Sequence, residues 1–139
     1  MLQAYFLTGC TASGKSAIAH EVALRWGADI LSADSMQVYR GMDVGTAKPS
    51  LKERSEVRYS GIDLVMPGAP CNLSVFYDAA YQAATAAASR KRRLIVVGGT
   101  GLYLRTLLCG IQRRPPQNPA LRAELNVLVR TQGVAVLAE

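Results

Sequence analysis

The eight residues Gly9-Cys10-Thr11-Ala12-Ser13-Gly14-Lys15-Ser16 satisfy the pattern G-x-x-x-x-G-K-[ST]. They stand between a short apolar run, Ala4 to Thr8, and a segment in which Ile18, Ala19, Val22 and Ala23 recur at helical spacing. Strand, glycine loop and helix in that order constrain the fold more than any other feature of the chain. Glycines let the backbone wrap so that its N–H groups converge on phosphate oxygens, and the following helix adds the positive end of its dipole. Each residue from Gly9 to Ser16 is therefore a candidate for phosphate binding, with Lys15 reaching the terminal phosphates and the Ser16 hydroxyl helping to hold Mg²⁺. A glycine turn without ligand is the competing reading. The loop selects phosphates and not a reaction, since kinases, NTPases and diphosphate-using transferases share it.

The rest of the chain punctuates itself into alternating elements. Asp29 to Ala33 reads as a second strand, Ile62 to Val65 as a third, and Ser50-Leu51-Lys52-Glu53 as a capping box that starts a short helix. Ser74 to Ser89 is alanine-rich, with Tyr77 and Tyr81 one turn apart, and is expected to be a packed helix. It runs into Arg90-Lys91-Arg92-Arg93, cations that either touch phosphates or complement the helix dipole in solvent, and then into the buried-strand run Leu94 to Val97. The order predicts an α/β fold, a P-loop NTPase-like parallel sheet with crossover helices. No carboxylate follows Val97, where Gly98-Gly99-Thr100 stands, so an ordinary ATPase with a Walker-B aspartate is disfavoured.

After Gly110 the character changes. Arg113-Arg114-Pro115-Pro116 breaks the pattern, and Asn118-Pro119 supplies a cap and a first-turn proline for a further helix. Its apolar stripe of Leu121, Leu125 and Leu128 has few partners in the chain. Residues 1–112 are thus expected to form the phosphate-binding core, and residues 113–139 the start of something separate. With 139 residues, half of them apolar, the chain suffices for one core, and a formal charge of +6 allows an anionic partner without proving one. No apolar run approaches the ~18 residues needed to cross a bilayer, and the opening MLQAYFLTGC has no secretory character, so no membrane partner and a cytoplasmic location are expected. Cys10, Cys71 and Cys109 fit neither a disulfide framework nor a paired metal site, and the single histidine, His20, is most simply a helix residue.

Asp34 and Thr100 are the remaining candidates for chemistry, because each follows a strand at the end where parallel-sheet enzymes gather their active sites. A carboxylate there accepts a proton or holds metal-bound water; a threonine donates to a phosphate oxygen; either also serves as a simple cap. Taken with the loop, the segment Ala33-Asp34-Ser35-Met36-Gln37-Val38-Tyr39-Arg40-Gly41-Met42-Asp43-Val44-Gly45-Thr46-Ala47-Lys48-Pro49 and the segment Val97-Gly98-Gly99-Thr100-Gly101-Leu102-Tyr103 closely resemble one family. That family is the tRNA dimethylallyltransferases, also called tRNA isopentenyltransferases, and the resemblance extends from about Ala4 to Leu128.

The resemblance implies transfer of a dimethylallyl group from dimethylallyl diphosphate to N6 of adenosine 37 in tRNA. Lys15, Ser16 and backbone donors would, with Mg²⁺, stabilise the departing pyrophosphate. By the same resemblance Asp34 would take the N6 proton, Thr100 would hold the bridging diphosphate oxygen, and Asp34, Ser35, Met36 and Gln37 would contact an extruded adenine. Arg122 falls where the family has a tRNA-touching arginine, although a solvated helix arginine explains it equally. Three departures stand out. Cys10 replaces a usual proline, Val57 to Asp63 lacks the family's His-His pair, and Leu73 to Ala79 is a few residues short. Because family members continue well beyond this length, the chain is expected to be a fragment or truncated form, monomeric, that ends near the start of a helical tRNA-gripping insertion. The alternatives are a small-molecule kinase using ATP, an adenylate isopentenyltransferase, and an inactive diphosphate-binding remnant.

Overall fold

The computed structural model describes residues 3–111 and 118–137. Four parallel strands form one sheet in the order β1-β4-β2-β3: β1 is Ala4–Thr8, β2 Asp29–Ser32, β3 Tyr59–Ser60 and β4 Leu94–Gly98. Between them lie α1 (Lys15–Trp26), α2 (Leu51–Glu56) and α3 (Leu73–Ser89), followed by α4 (Gly101–Cys109) and α5 (Pro119–Gln132). The α/β reading of the sequence is confirmed.

Side-chain alternation along the strands divides the interior in two. Leu94 and Val96 of β4, with Leu31 of β2, face a cluster built on Phe76, Ala80, Ala83 and Ala87 of α3 and Tyr103 of α4. Ile95 and Val97, with Ile30, face the opposite layer, where Ala19 and Ala23 of α1 pack with Val57. Both faces of β2 and β4 are covered, which is why these strands read as continuous apolar runs rather than as alternating ones. Alanines on α1 and α3 let the helix backbones sit close to the sheet. Phe76 provides the bulk on one side, stacked on Tyr103 with ring centroids 3.8 Å apart.

The structure corrects three expectations. The third strand is Tyr59–Ser60, not Ile62 to Val65; Val65 makes only an isolated bridge with Tyr39. Gly61, at φ 78°, turns the chain where a Cβ would strike the Ser32 carbonyl oxygen, and Asp63 at φ 54° continues the turn, so extended backbone cannot persist there. The packed face of α3 is Phe76 and its alanines, while Tyr81 is 68% exposed. Nor do the cations after α3 form a solvated cap. Arg90 and Arg92 both clasp the buried Asp29 carboxylate, at 2.6 and 2.7 Å, and Arg93 lies over the Trp26 ring.

Two surfaces are less complete. β1 pairs only with β4 among the described residues, and Tyr5 and Phe6 are each 40% exposed. Helix α5 starts as expected, with the Asn118 side chain accepting from Leu121 N–H and Pro119 in its first turn, but none of its residues is buried. Its neighbour is the 3₁₀ turn Val134–Leu137. The Arg113 to Pro116 breaker lies outside the described residues. No helix of the described residues is long and apolar enough to cross a membrane.

Candidate active site

The glycine loop leaves the end of β1 and enters α1 as its motif requires. Gly14 occupies the position before the helix at φ 78°, and Ala12 at φ 64° is likewise left-handed, so the chain curls back over the start of the helix. The Lys15 ammonium donates to the Cys10 carbonyl oxygen at 2.9 Å, bridging the mouth of the loop. Cys10 contributes its backbone here and its side chain is exposed, which accounts for the tolerance of a non-proline residue.

A cleft of about 850 Å³ opens in front of this loop. Gly9 to Ser16 form one side; Asp34 to Gln37, Gly45 to Ala47, Gly99 and Thr100 form the other. A second cavity of about 320 Å³ lies deeper, sharing Lys15, Ser16 and Asp34 with the first and bounded further by Ser32, Lys48, Glu53 and Tyr59. All three elements that carried the resemblance therefore converge on one place, at the C-terminal ends of β1, β2 and β4.

The residues on either side of Asp34 are bonded to Thr100. Thr100 Oγ1 accepts from the Ser35 backbone N–H at 3.0 Å, and the Thr100 N–H donates to the Ala33 carbonyl. Having accepted one bond, the Thr100 hydroxyl keeps its own proton for donation. Thr100 is the N-cap residue of α4 through its backbone, but its side chain makes no cap bond to that helix. Asp34 Oδ1 accepts from Met36 N–H at 2.8 Å, a turn that leaves its other oxygen for a ligand proton. The absent Walker-B carboxylate also has a steric cause: a Cβ at Gly98 would collide with the Ala33 carbonyl oxygen, because β4 passes too close to β2 for any side chain there.

The other site candidates divide. Ser35 and Met36 are exposed at the cleft. Gln37 is buried, its oxygen accepting from Ser32 Oγ at 2.9 Å and its amide donating to the Thr46 and Ala47 carbonyls, so this side chain braces the cleft wall. Arg122 is exposed on α5, an element with no close packing against the cleft. The Ser16 hydroxyl borders the cleft as a hard oxygen donor, which suits Mg²⁺, an ion that keeps waters and phosphates as its other ligands. No cluster of three or more His, Cys, Asp or Glu occurs among the described residues, which leaves a softer metal without a ligand set.

Two networks around the site carried no signal in the sequence. Lys48, Asp43, Asp63 and Arg54 form a chain of ion pairs. Burial alone would lower the Lys48 ammonium, but the hydrogen bonds it donates to Asp43 and Asp63, with their negative charge, outweigh it and leave it above its usual value. Burial alone would likewise raise Asp63, and the bonds from Lys48 and Arg54 hold it below the ordinary carboxylate range. In the second network His20 Nδ1 meets the Tyr59 hydroxyl at 2.9 Å and Nε2 meets Glu56 at 3.1 Å, tying α1 to β3. Burial, then the nearby Glu53 and Glu56, pushes the Tyr59 phenol up to about 12. Tyr59 borders the deeper cavity.

A sequence model described as IPP transferase matches residues 37–139, and one described as isopentenyl transferase matches residues 2–62. The chain belongs to the IPP transferase family. Among curated relatives of this IPP transferase family chain, it is 47% identical over 127 residues to tRNA dimethylallyltransferase 2 of Geotalea daltonii, covering 91% of this chain and 39% of that protein. It is 50% identical over 119 residues to a tRNA dimethylallyltransferase of Anaeromyxobacter, covering 86% of this chain and 39% of the other. Its structure is similar to the full-length tRNA isopentenylpyrophosphate transferase of Bacillus halodurans, with a TM-score of 0.77, 34% identity, and 99% of this chain and 46% of that one covered. A eukaryotic dimethylallyltransferase acting on tRNA gives a TM-score of 0.78 at 26% identity, covering 95% of this chain and 33% of that one. This family member thus spans about 40% of the length of the curated relatives and less than half of each solved structure it matches.

Proposed function

We propose that this chain is the phosphate-binding part of an enzyme that transfers a dimethylallyl group from dimethylallyl diphosphate to N6 of adenosine 37 in tRNA. The observation that carries this reading is the Ser35 N–H···Oγ1 bond to Thr100, 3.0 Å long, which binds the Asp34 turn to the end of β4 across the cleft from the Gly9 to Ser16 loop. A nucleophile bound at Asp34 and a diphosphate bound in the loop then meet between them. In the reaction the amine N6 forms a bond to the allylic carbon, the carbon–oxygen bond to diphosphate breaks, and Asp34 takes the N6 proton. Thr100 donates to the bridging oxygen, and Lys15 leaves the Cys10 carbonyl to neutralise the departing pyrophosphate. Gly9, Thr11, Ala12, Ser13 and Gly14 act through backbone N–H groups, and the Ser16 hydroxyl would help hold Mg²⁺, which supplies positive charge against the leaving group when bound.

The adenine must leave its stack to reach this cleft, and Ser35 and Met36 are placed to contact it. Residues 1–112 act as the core, while residues 113–139, with the capped but unburied α5, begin an RNA-binding part in which Arg122 touches tRNA. The whole protein works as a cytoplasmic monomer. Binding of dimethylallyl diphosphate in the presence of Mg²⁺ is expected for this chain and is expected to be lost in Lys15→Ala. Tighter binding of ATP than of dimethylallyl diphosphate would instead support a kinase. In a chimera carrying residues 1–139 in place of the matching part of the Anaeromyxobacter relative, Asp34→Ala and Thr100→Ala should each lower transfer to an anticodon stem-loop by roughly 10²-fold or more. Normal turnover in either variant rules out the residue roles.

A further inference from the structure

The wall of the cleft facing the glycine loop includes Gly45, Thr46 and Ala47, and the next residue turns inward. The Lys48 side chain is 0% exposed. Its ammonium donates to Asp43 Oδ1 at 2.8 Å, to Asp63 Oδ1 at 2.7 Å and to the Tyr39 carbonyl, so all three of its hydrogens are taken. Arg54 completes the arrangement by donating to Asp63 Oδ2 at 2.7 Å and to the Pro49 carbonyl at 2.8 Å. The segment on either side of Lys48 is therefore pinned, by Gln37 to the Thr46 and Ala47 carbonyls and by Arg54 to Pro49. Removing an ammonium from water is costly, and an apolar residue of similar size would fill the same space without that cost. What the ion pairs add is a single position for the wall.

We propose that Lys48 is a positioning residue which, through Asp43 and Asp63, holds Gly45 to Ala47 at the distance from the glycine loop that a bound diphosphate needs. The reading rests on the phosphate site described above. It makes a prediction of unusual sign, because Asp43 borders neither the cleft nor the deeper cavity and is more than half exposed. Deleting a negative charge near an anion site should tighten anion binding if electrostatics alone acts. Deleting an anchor of the wall should weaken it.

The test is calorimetric titration of the full chain with inorganic pyrophosphate and Mg²⁺, alongside thermal melting. Lys48→Met and Asp43→Ala are each expected to weaken binding by about tenfold, and the double variant no further than the weaker single one, as contacting residues in one network behave. Unchanged or tighter binding by Asp43→Ala overturns the proposal, as does a lowered melting point with unchanged affinity, and as do additive losses. If Lys48→Met does not fold, the exposed Asp43→Ala decides the matter alone. Lys15→Ala separates the two readings. If it binds pyrophosphate as well as the unsubstituted chain, or if the unsubstituted chain does not bind, the phosphate site itself is wrong and this inference falls with it.

Discussion

Asp63 gathers more of the local structure than its sequence context suggests. Its carboxylate receives Lys48 and Arg54, its carbonyl receives Arg40 at 2.8 Å, and its N–H donates to the Gln37 carbonyl. Because its folded pKa is lowered, the stability it lends is present above the unfolded carboxylate range of ~4 and is lost as pH falls through the folded value. Glu53 acts in the same direction, its carboxylate held down by the Ser50 hydroxyl and N–H of the capping box. At the alkaline end the sign reverses. Lys48 is raised by its carboxylate partners and Tyr59 is pushed up to about 12 by burial, so their contribution is complete below the unfolded values and disappears as pH climbs through the folded ones. Urea midpoints are therefore expected to fall both below about pH 4 and above about pH 10. Asp63→Asn should flatten the acid limb, and an unchanged acid limb would remove Asp63 from the account.

At the scale of elements, the α3–β4 connection is held by charge where a turn would ordinarily suffice. Asp29 is 3% exposed at the start of β2, and the two guanidinium groups that clasp it come from the far end of α3, so one carboxylate ties the crossover helix to the sheet. Asp29→Ala is expected to cost roughly 1.5–3 kcal/mol in denaturant unfolding, the range for hydrogen bonds to a charged partner, since both arginines remain partly solvated. A change within error would mean that solvent replaces the clasp. Ser50→Ala tests a smaller element: loss of the capping box before α2 should cost about 1 kcal/mol, read as a lowered melting point.

Among the described residues the sheet has two open edges, β1 and the two-residue β3. The longer one, β1, is also poorly covered on its faces, with Tyr5 and Phe6 each 40% exposed beside Trp26. Helix α5 adds a second uncovered surface, Leu121 being 49% exposed and Leu125 and Leu128 37% each. Residues 1–139 by themselves are accordingly expected to self-associate, with sedimentation showing species larger than 14.9 kDa. Phe6→Lys should shift the population toward monomer. A monodisperse monomer without substitution would show that the edge is protected.

How far the sequence reached follows from the range of the interactions involved. Gly9 to Ser16, the alanine-rich helix α3, the Ser50 capping box and the continuous apolar run of β4 were legible because each is decided within a few residues by backbone freedom, helix propensity or burial on both faces. They were enough to establish a parallel α/β sheet and a phosphate loop. Only the tertiary structure decided that Asp29 answers Arg90 and Arg92 some sixty residues away, that Lys48 closes on Asp63, and that Gln37 faces inward while Ser35 reaches Thr100. Gly61 moved the third strand for the same reason: its neighbour is the Ser32 carbonyl, contributed by another strand. Charges and polar side chains have no periodicity that reveals their partners. Their positions are set by which strands the sheet brings side by side, and that is a property of the folded chain.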